Sequence, residues 1–362
     1  MKRQSFKYIF FLNLLFITVC TVIAFSSKNF SPTLYSSSLT TPIISRGYEK
    51  QSFCSNAKSA VTIDGKSGAV LYDKNAYIRL PMASTTKIMT ALTVLNHADT
   101  SAVITVDKKA EGIEGSSIYL RAGEKLTVLD LLYGLMLESG NDAATALAIG
   151  CFGSEKVCVE KMNEICKTLG LVDTHFENVH GLDGENHYTS AYELARITSE
   201  AMKNPIFKQI VSSKNYTSQG ENPKYFSNHN RLLRTYDGAI GVKTGYTSKA
   251  GRCLVTCAER GNERYIAVTL GNGKSDWQDH ADMLDFAFDN YSCREIADTD
   301  SFYIYRGFDK YTLSEDIYLT VKGDEAFTVD YKITFDKKSK SALCEYYSEK
   351  EKLGYFKLSP IS

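Results

Sequence analysis

A chain of 362 residues with 43% hydrophobic and 23% charged side chains has the composition of a folded globular protein and is long enough for two domains. Its 42 basic and 42 acidic residues leave no net charge, which removes the electrostatic argument for nucleic-acid binding. Nine cysteines, an odd number without Cys-x-x-Cys spacing, exclude a complete disulfide framework and point to scattered buried thiols.

Lys2, Arg3 and Lys7 precede an uncharged stretch from Tyr8 to Ser27, and Ala24-Phe25-Ser26 offers a small-x-small cleavage pattern. Residues 1–26 therefore read as a signal peptide or a signal anchor, the uncharged run being about long enough to span a bilayer. Removing it takes away three positive charges and leaves 39 basic against 42 acidic residues. Cys20 follows Ile17-Thr18-Val19, which lacks the small residue expected before a lipidated cysteine. Either way the body of the protein is exported, and a membrane is met only through a retained N-terminal segment. Residues 27–52, rich in Ser and Thr with Pro32 and Pro42, read as a tether.

Ala60–Asp64 and Ala69–Tyr72 flank Gly65-Lys66-Ser67-Gly68 and predict a hairpin. Pro81 and the small residues around Ser84 mark a helix start, and the apolar run Ile88–Leu95 predicts a helix buried on most sides. Leu126–Leu137 predicts a helix that breaks at Glu138-Ser139-Gly140-Asn141, with a second helix resuming over Ala143–Ile149. Gly153–Leu169 and Ser190–Met202 predict further helices around a polar loop, Asp173–His187. Strands are expected at Gly238–Lys243, Cys253–Cys257 and Tyr265–Leu270, then a helix over Asp276–Asn290. From about Ser301 only short β-like runs follow, at Tyr303–Tyr305, Ile317–Val321 and Tyr331–Phe335. A boundary near 292–300 divides the chain into a catalytic domain, 53–295, and a small all-β domain, 296–362.

Ser84 and Lys87, three apart on a helix, share one face, so the amine can reach the hydroxyl. The first turn of a helix favours a developing alkoxide and disfavours an ammonium. Two distant elements complete a candidate site: Ser139-Gly140-Asn141, at a break between helices, and Lys243-Thr244-Gly245, at the end of a strand. Their order and separation match the three-motif pattern of penicillin-interacting serine acyl enzymes. Ser55-x-x-Lys58 and Lys66-Ser67-Gly68 are chance decoys in the same chain.

Pro81–Leu92, Glu138–Ala144, His180-Gly181-Leu182-Asp183 and Lys243-Thr244-Gly245-Tyr246-Thr247 closely resemble the serine-type D-alanyl-D-alanine carboxypeptidases, the low-molecular-mass penicillin-binding proteins. The resemblance covers about residues 55–290. It implies an α/β (α+β) fold like that of the serine β-lactamases and penicillin-binding proteins: an antiparallel sheet, built from strands near both ends of the domain, flanked by helices. It also implies removal of the terminal D-alanine from peptidoglycan stem peptides ending in D-Ala-D-Ala, with β-lactams as covalent inhibitors and no cofactor or metal. Ser84 would be acylated, Lys87 would act as base, and Ser139 would relay a proton to the leaving D-alanine. Asn141 would orient Lys87 and the substrate amide, the backbone N–H groups of Ser84 and Tyr246 would form an oxyanion hole, and Thr244 would bind the terminal carboxylate. The strand carrying Lys243, Thr244, Gly245 and Tyr246 would pair edge-on with the extended peptide. An ordinary lysine with pKa ~10.4 is neutral in roughly one molecule in 2,500 at pH 7, so Lys87 needs a lowered pKa, which Lys243 and the helix start would supply.

The family often places an arginine before its final helix to hold the carboxylate. Here that stretch reads Lys274-Ser275-Asp276-Trp277-Gln278, leaving Lys274 or Arg264 as substitutes and Trp277 as a packing residue. A class A β-lactamase would need a Glu-x-x-Leu-Asn pattern, which neither Glu177-Asn178-Val179-His180 nor Glu185-Asn186-His187 provides. A zinc peptidase would need a ligand spacing that His175, His180 and His187 do not match, and they read as loop residues capping turns. A β-lactam sensor would lose the hydroxyl or the amine, and both are present. Endopeptidase action on cross-links stays open beside carboxypeptidase action.

Overall fold

A computed structural model describes residues 53–361, apart from 55, 220–221, 324–327 and 337–340. The expected signal segment (1–26) and tether (27–52) lie outside the described residues. Among the described residues no helix is long and apolar enough to cross a membrane.

The chain opens with β1 (Ser59–Asp64) and β2 (Val70–Lys74), the expected antiparallel hairpin. A 3-10 turn over Ala83–Thr86 runs directly into α1 (Lys87–His97). Ser84 thus sits in the 3-10 turn rather than in the first α-helical turn, and Lys87 begins the α-helix proper. Such turns are frequent at helix starts, and their three-residue period keeps Ser84 and Lys87 on one side. Two short strands, β3 (Val103–Thr105) and β4 (Lys125–Thr127), pair with each other ahead of α2 (Val128–Leu137). Thr127 and Asp130 form a capping box at the start of α2, each side chain accepting the other's backbone N–H. The expected break spans Glu138–Gly140, after which α3 (Asn141–Phe152) ends at Gly153 in the left-handed region.

α4 (Glu155–Thr168) and α5 (Ala191–Ala201) start at Ser154 and Ser190, whose side chains accept backbone N–H groups. α6 (Pro205–Ser212), the pair β5 (Asn215–Thr217) and β6 (Tyr225–Ser227), and α7 (Leu232–Thr235) lead into three long strands. These are β7 (Ala239–Thr247), β8 (Gly251–Arg260) and β9 (Glu263–Asn272), followed by α8 (Asp276–Asn290). β7 runs past the expected end because Tyr246 and Thr247 go on pairing with Arg252 and Gly251.

The main sheet has the order β2-β1-β9-β8-β7, antiparallel throughout, so strands from both ends of the region meet in its middle. One apolar cluster joins Val255 and Val268 of the sheet to α1, α2 and α3 through Ile88, Leu131 and Leu147. A second, with Ala258, Tyr265 and Ala267, lies under Met283 and Leu284 of α8. β7 closes one edge, and Gly245 near its end abuts the turn that carries Ser84.

Beyond α8, β10 (Tyr291–Ala297), β11 (Tyr303–Arg306), β12 (Asp309–Thr312), β13 (Ile317–Lys322), β14 (Asp330–Asp336), β15 (Ser341–Ser348) and β16 (Glu351–Pro360) form two sheets, β10-β13 and β11-β12-β16-β15-β14. They enclose an apolar cluster of their own, including Leu319, Cys344, Phe356 and Leu358. A buried hydrogen bond from Thr320 Oγ1 to Asp64 Oδ2 (2.8 Å) ties this part to the first hairpin. The eight cysteines among the described residues are free thiols, and all but Cys151 are buried.

His280 is fully buried between the sheet and α8, its two ring nitrogens each 2.9 Å from a threonine hydroxyl, Thr269 Oγ1 and Thr256 Oγ1. Burial pushes its pKa down to about 3. The unfolded chain takes up a proton near pH ~6.5, so folding loses stability as pH falls below that value; between pH 6.5 and 5 one such histidine costs about 2 kcal/mol. Thermal unfolding is expected to move to lower temperature over this interval, and His280→Gln to flatten the decline.

Candidate active site

Lys87 is completely buried at the start of α1. Its Nζ lies 2.9 Å from Ser84 Oγ, 2.7 Å from Asn141 Oδ1 and 2.5 Å from the His180 carbonyl oxygen. The two carbonyl-type oxygens can only accept, so in a neutral amine they take its two hydrogens. The lone pair then faces the Ser84 hydroxyl, which donates to it. Burial drives the Lys87 pKa well below that of an ordinary lysine; the charge on Lys243 pushes the same way, and Asp142 opposes with a smaller effect. Lys243, also buried, is brought down to about 7 by burial against the pull of Glu138.

Asn141 opens α3, and its side chain is held at both ends: Nδ2 donates to the Glu114 carbonyl at 2.5 Å while Oδ1 accepts from Lys87. Asp142, fully buried, accepts from Ser117 Oγ (2.6 Å) and from the N–H groups of Ile118 and Leu120, fixing the wall beside Asn141. Ser139 turns the chain between α2 and α3 in the left-handed region (φ +63°) and is only 5% exposed. Glu138 next to it accepts from the Ser227 N–H (2.6 Å) and faces His229 Nε2 at 3.2 Å.

β7 brings the third motif. Lys243 Nζ donates to the Thr244 carbonyl at 3.1 Å, Thr244 is half-buried, and Tyr246 is exposed. Gly245 runs so close to the turn carrying Ser84 that a methyl group built on it would lie 3.0 Å from the Ser84 nitrogen and 3.1 Å from the Thr85 nitrogen. On the other side, Gly181 has φ +94° and leaves no room at all: a methyl group there would lie 2.0 Å from the Ala83 carbonyl oxygen.

The loop 173–187 is built to present the His180 carbonyl. Asn178 Oδ1 accepts from the N–H groups of His180 (3.3 Å) and Gly181 (2.7 Å), and its Nδ2 donates to the Leu182 carbonyl at 2.9 Å. His187 Nδ1 accepts from the Glu177 N–H (3.0 Å), which puts its proton on Nε2; that N–H donates to Thr86 Oγ1 at 2.8 Å. Thr86 Oγ1 in turn donates to the Ala83 carbonyl (2.8 Å), so loop and turn are one network. His175 bonds elsewhere, to the Asn186 carbonyl.

Ser84, Lys87 and Asn141 are thus in direct contact, Lys243 acts on Lys87 through its charge, and Gly245 abuts Ser84. Ser139 lies two residues from Asn141 on the same turn, and Thr244 and Tyr246 flank Gly245 on β7. Arg264 does not join them: it pairs with Glu259 (2.6 Å) at the far end of the β8–β9 ladder. Lys274 is exposed in the loop before α8, and Trp277 meets the Arg231 guanidinium at 6.0 Å. The decoy Lys66-Ser67-Gly68 is the turn of the first hairpin. Sequence reasoning missed Asp142, Asn178 and the His180 carbonyl, although all three lie within or beside the quoted motifs.

Comparison with known proteins agrees with this geometry. Residues 48–274 match the family model Peptidase_S11, D-alanyl-D-alanine carboxypeptidase. D-alanyl-D-alanine carboxypeptidase DacF of Bacillus subtilis is 42% identical over 249 residues, 66% of this chain; the match spans 64% of that relative's length. The D-alanyl-D-alanine carboxypeptidase of Streptomyces sp. strain K15 is 38% identical over 60% of this chain and 81% of its own. Among solved structures, penicillin binding protein 5 from Haemophilus influenzae superposes with a TM-score of 0.74 at 27% identity, covering 87% of this chain and 99% of that one. Buried amine, serine and Lys-Thr-Gly strand, together with these matches, make the chain a member of the Peptidase_S11 family of D-alanyl-D-alanine carboxypeptidases.

Proposed function

We propose that this chain removes the terminal D-alanine from peptidoglycan stem peptides ending in D-Ala-D-Ala, through an acyl-enzyme on Ser84, and that β-lactams acylate the same hydroxyl. The observation that carries this reading is the buried Lys87 amine 2.9 Å from Ser84 Oγ, with oxygens of Asn141 and His180 on its other sides. The exported body would act outside the cytoplasm, in peptidoglycan biosynthesis. Residues 53–295 would form the catalytic domain and 296–362 a small β domain; the separate apolar cluster of the latter supports that division.

In this mechanism neutral Lys87 takes the Ser84 proton as Oγ attacks the carbonyl carbon of the penultimate D-alanine. The oxyanion forms against the backbone N–H groups of Ser84 and Tyr246, each such donor lowering the barrier by ~2.7–4 kcal/mol. The C–N bond breaks, and Ser139 passes the proton from Lys87 to the departing D-alanine amine. Water then attacks the ester carbonyl as neutral Lys87 takes its proton; the bond from the acyl carbon to Ser84 Oγ breaks, Lys87 returns the proton to Oγ, and the shortened peptide leaves as its carboxylic acid. Asn141 and Thr244 hold the substrate amide and the terminal carboxylate, and the free edge of β7 pairs with the peptide. Glu177 and Glu185, the acidic residues of the 173–187 loop nearest a lactamase pattern, are both exposed, which favours slow release of a penicilloyl adduct.

Mass spectrometry of the protein mixed with penicillin is expected to show one adduct, on Ser84, and a D-Ala-D-Ala peptide to release a single D-alanine. Ser84→Ala should abolish the adduct and Lys87→Ala should slow its formation roughly a thousandfold; chelator-sensitive release without an adduct would contradict the proposal. The acylation rate should fall on the acid side as Lys87 gains a proton. Because the Lys243 charge helps to lower the Lys87 pKa, Lys243→Gln should raise that pKa and move the acid limb to higher pH. Gly181→Ala, which forces the Ala83–Ser84 turn to shift, should cost more acylation rate than thermal stability, measured on one preparation.

A further inference from the structure

The proposed substrate and penicillin both carry a carboxylate beside the bond that is broken, so the cleft has to offer it a cation or several N–H donors. The buried lysines are committed elsewhere, Lys87 to Asn141 and the His180 carbonyl and Lys243 to the Thr244 carbonyl. Arg264 is tied to Glu259 at the opposite end of the sheet.

Arg252 is placed differently. It lies near the start of β8 directly opposite Tyr246 of β7. Two-residue alternation puts Arg252, Tyr246 and Thr244 on one face of the sheet and Lys243 and Gly245 on the other. Cross-strand neighbours sit about 5 Å apart and diagonal ones about 7–8 Å, so a long arginine side chain spans the distance to Thr244 and the outer edge of β7. The same face is the one α8 covers, since Thr256, further along β8, bonds His280.

At the start of α8 stands Asp276, 3% exposed, whose Oδ2 accepts from Arg252 Nε at 2.8 Å. Its Oδ1 is a buried oxygen without a hydrogen-bond partner. The pair is lopsided: the Asp276 side chain is 4% exposed and that of Arg252 40%. The bond engages Nε, so the two terminal amino groups are left for a planar acceptor with two oxygens, the geometry of a carboxylate.

We propose that Arg252, oriented from behind by Asp276, binds the terminal carboxylate of the substrate together with Thr244. This rests on the acyl-enzyme reading above. It makes Arg252 the specificity residue that distinguishes free-acid ligands from neutral ones, with Asp276 as its positioning residue.

The test compares acylation of Ser84 by penicillin G and by its methyl ester, followed by mass spectrometry on the full chain. The wild-type chain should prefer the free acid; Arg252→Ala should slow acylation by the acid about 100-fold and leave the ester rate unchanged, abolishing the preference. Arg252→Lys, which keeps the charge and loses the fork, should recover part of it, and Asp276→Ala should raise KM for a D-Ala-D-Ala peptide more than it lowers kcat. Should Arg252→Ala fail to fold, Arg252→Gln carries the same comparison. Arg231→Ala, which removes the cation stacked on Trp277, should keep the preference. An undiminished acid preference in the Arg252 variants overturns this proposal alone, and its loss in Arg231→Ala instead would move the role to Arg231. Absence of any adduct on the wild-type chain overturns the acyl-enzyme reading, and this proposal with it.

Discussion

The Lys87 amine has three neighbours within hydrogen-bond distance, and two of them, Asn141 Oδ1 and the His180 carbonyl, can only accept. Burial, and after it the charge of a second buried lysine, push its pKa well below that of an ordinary lysine. Once neutral, it has one lone pair and one donor left to meet, the Ser84 hydroxyl. The lowered pKa of Lys87, the position of its protons and the placement of the Ser84 hydroxyl therefore come from a single arrangement rather than from separate devices.

Four stretches far apart in sequence have to converge for that arrangement to exist, and the fold assigns each a different support. The apolar α1 buries Lys87 at its first residue, Asp142 locks the wall beside Asn141, Asn178 shapes the turn that offers the His180 carbonyl, and the edge strand β7 delivers Lys243. Gly181 and Gly245 close in on the Ser84 turn from two sides, at distances that no side chain tolerates without movement. Placing two lysines side by side in the interior costs stability, which the surrounding apolar clusters offset.

Much of this was legible from the residues. Long periodic segments such as Ile88–Leu95 and Leu126–Leu137 announced their helices, and the breaks at Glu138–Asn141 and Gly65–Gly68 announced their turns. The three-residue strands β3 to β6 were not legible, because alternation has no statistical weight over so short a run. Contributions made by backbone escaped as well: the His180 carbonyl has no side-chain signature, and only Asn178 and Gly181 hint that its turn is special. Arg252 was overlooked for a related reason, since its closeness to Tyr246 depends on a hairpin register that sequence alone does not reveal. Arg264 looked comparable in sequence, but the turn between β8 and β9 carries it to the opposite end of the sheet.

The protonation state of Lys87 is the point on which the rest turns, and it can be observed without reference to catalysis. An NMR titration of the chain labelled with 13Cε-lysine, with Lys87→Arg used to assign the resonance, reads it directly. The account predicts a midpoint for Lys87 well below the ~10.4 of an ordinary lysine, with the amine largely neutral in the pH range where penicillin acylates Ser84. A midpoint at or above the ordinary value, in a folded chain that still acylates, would contradict it.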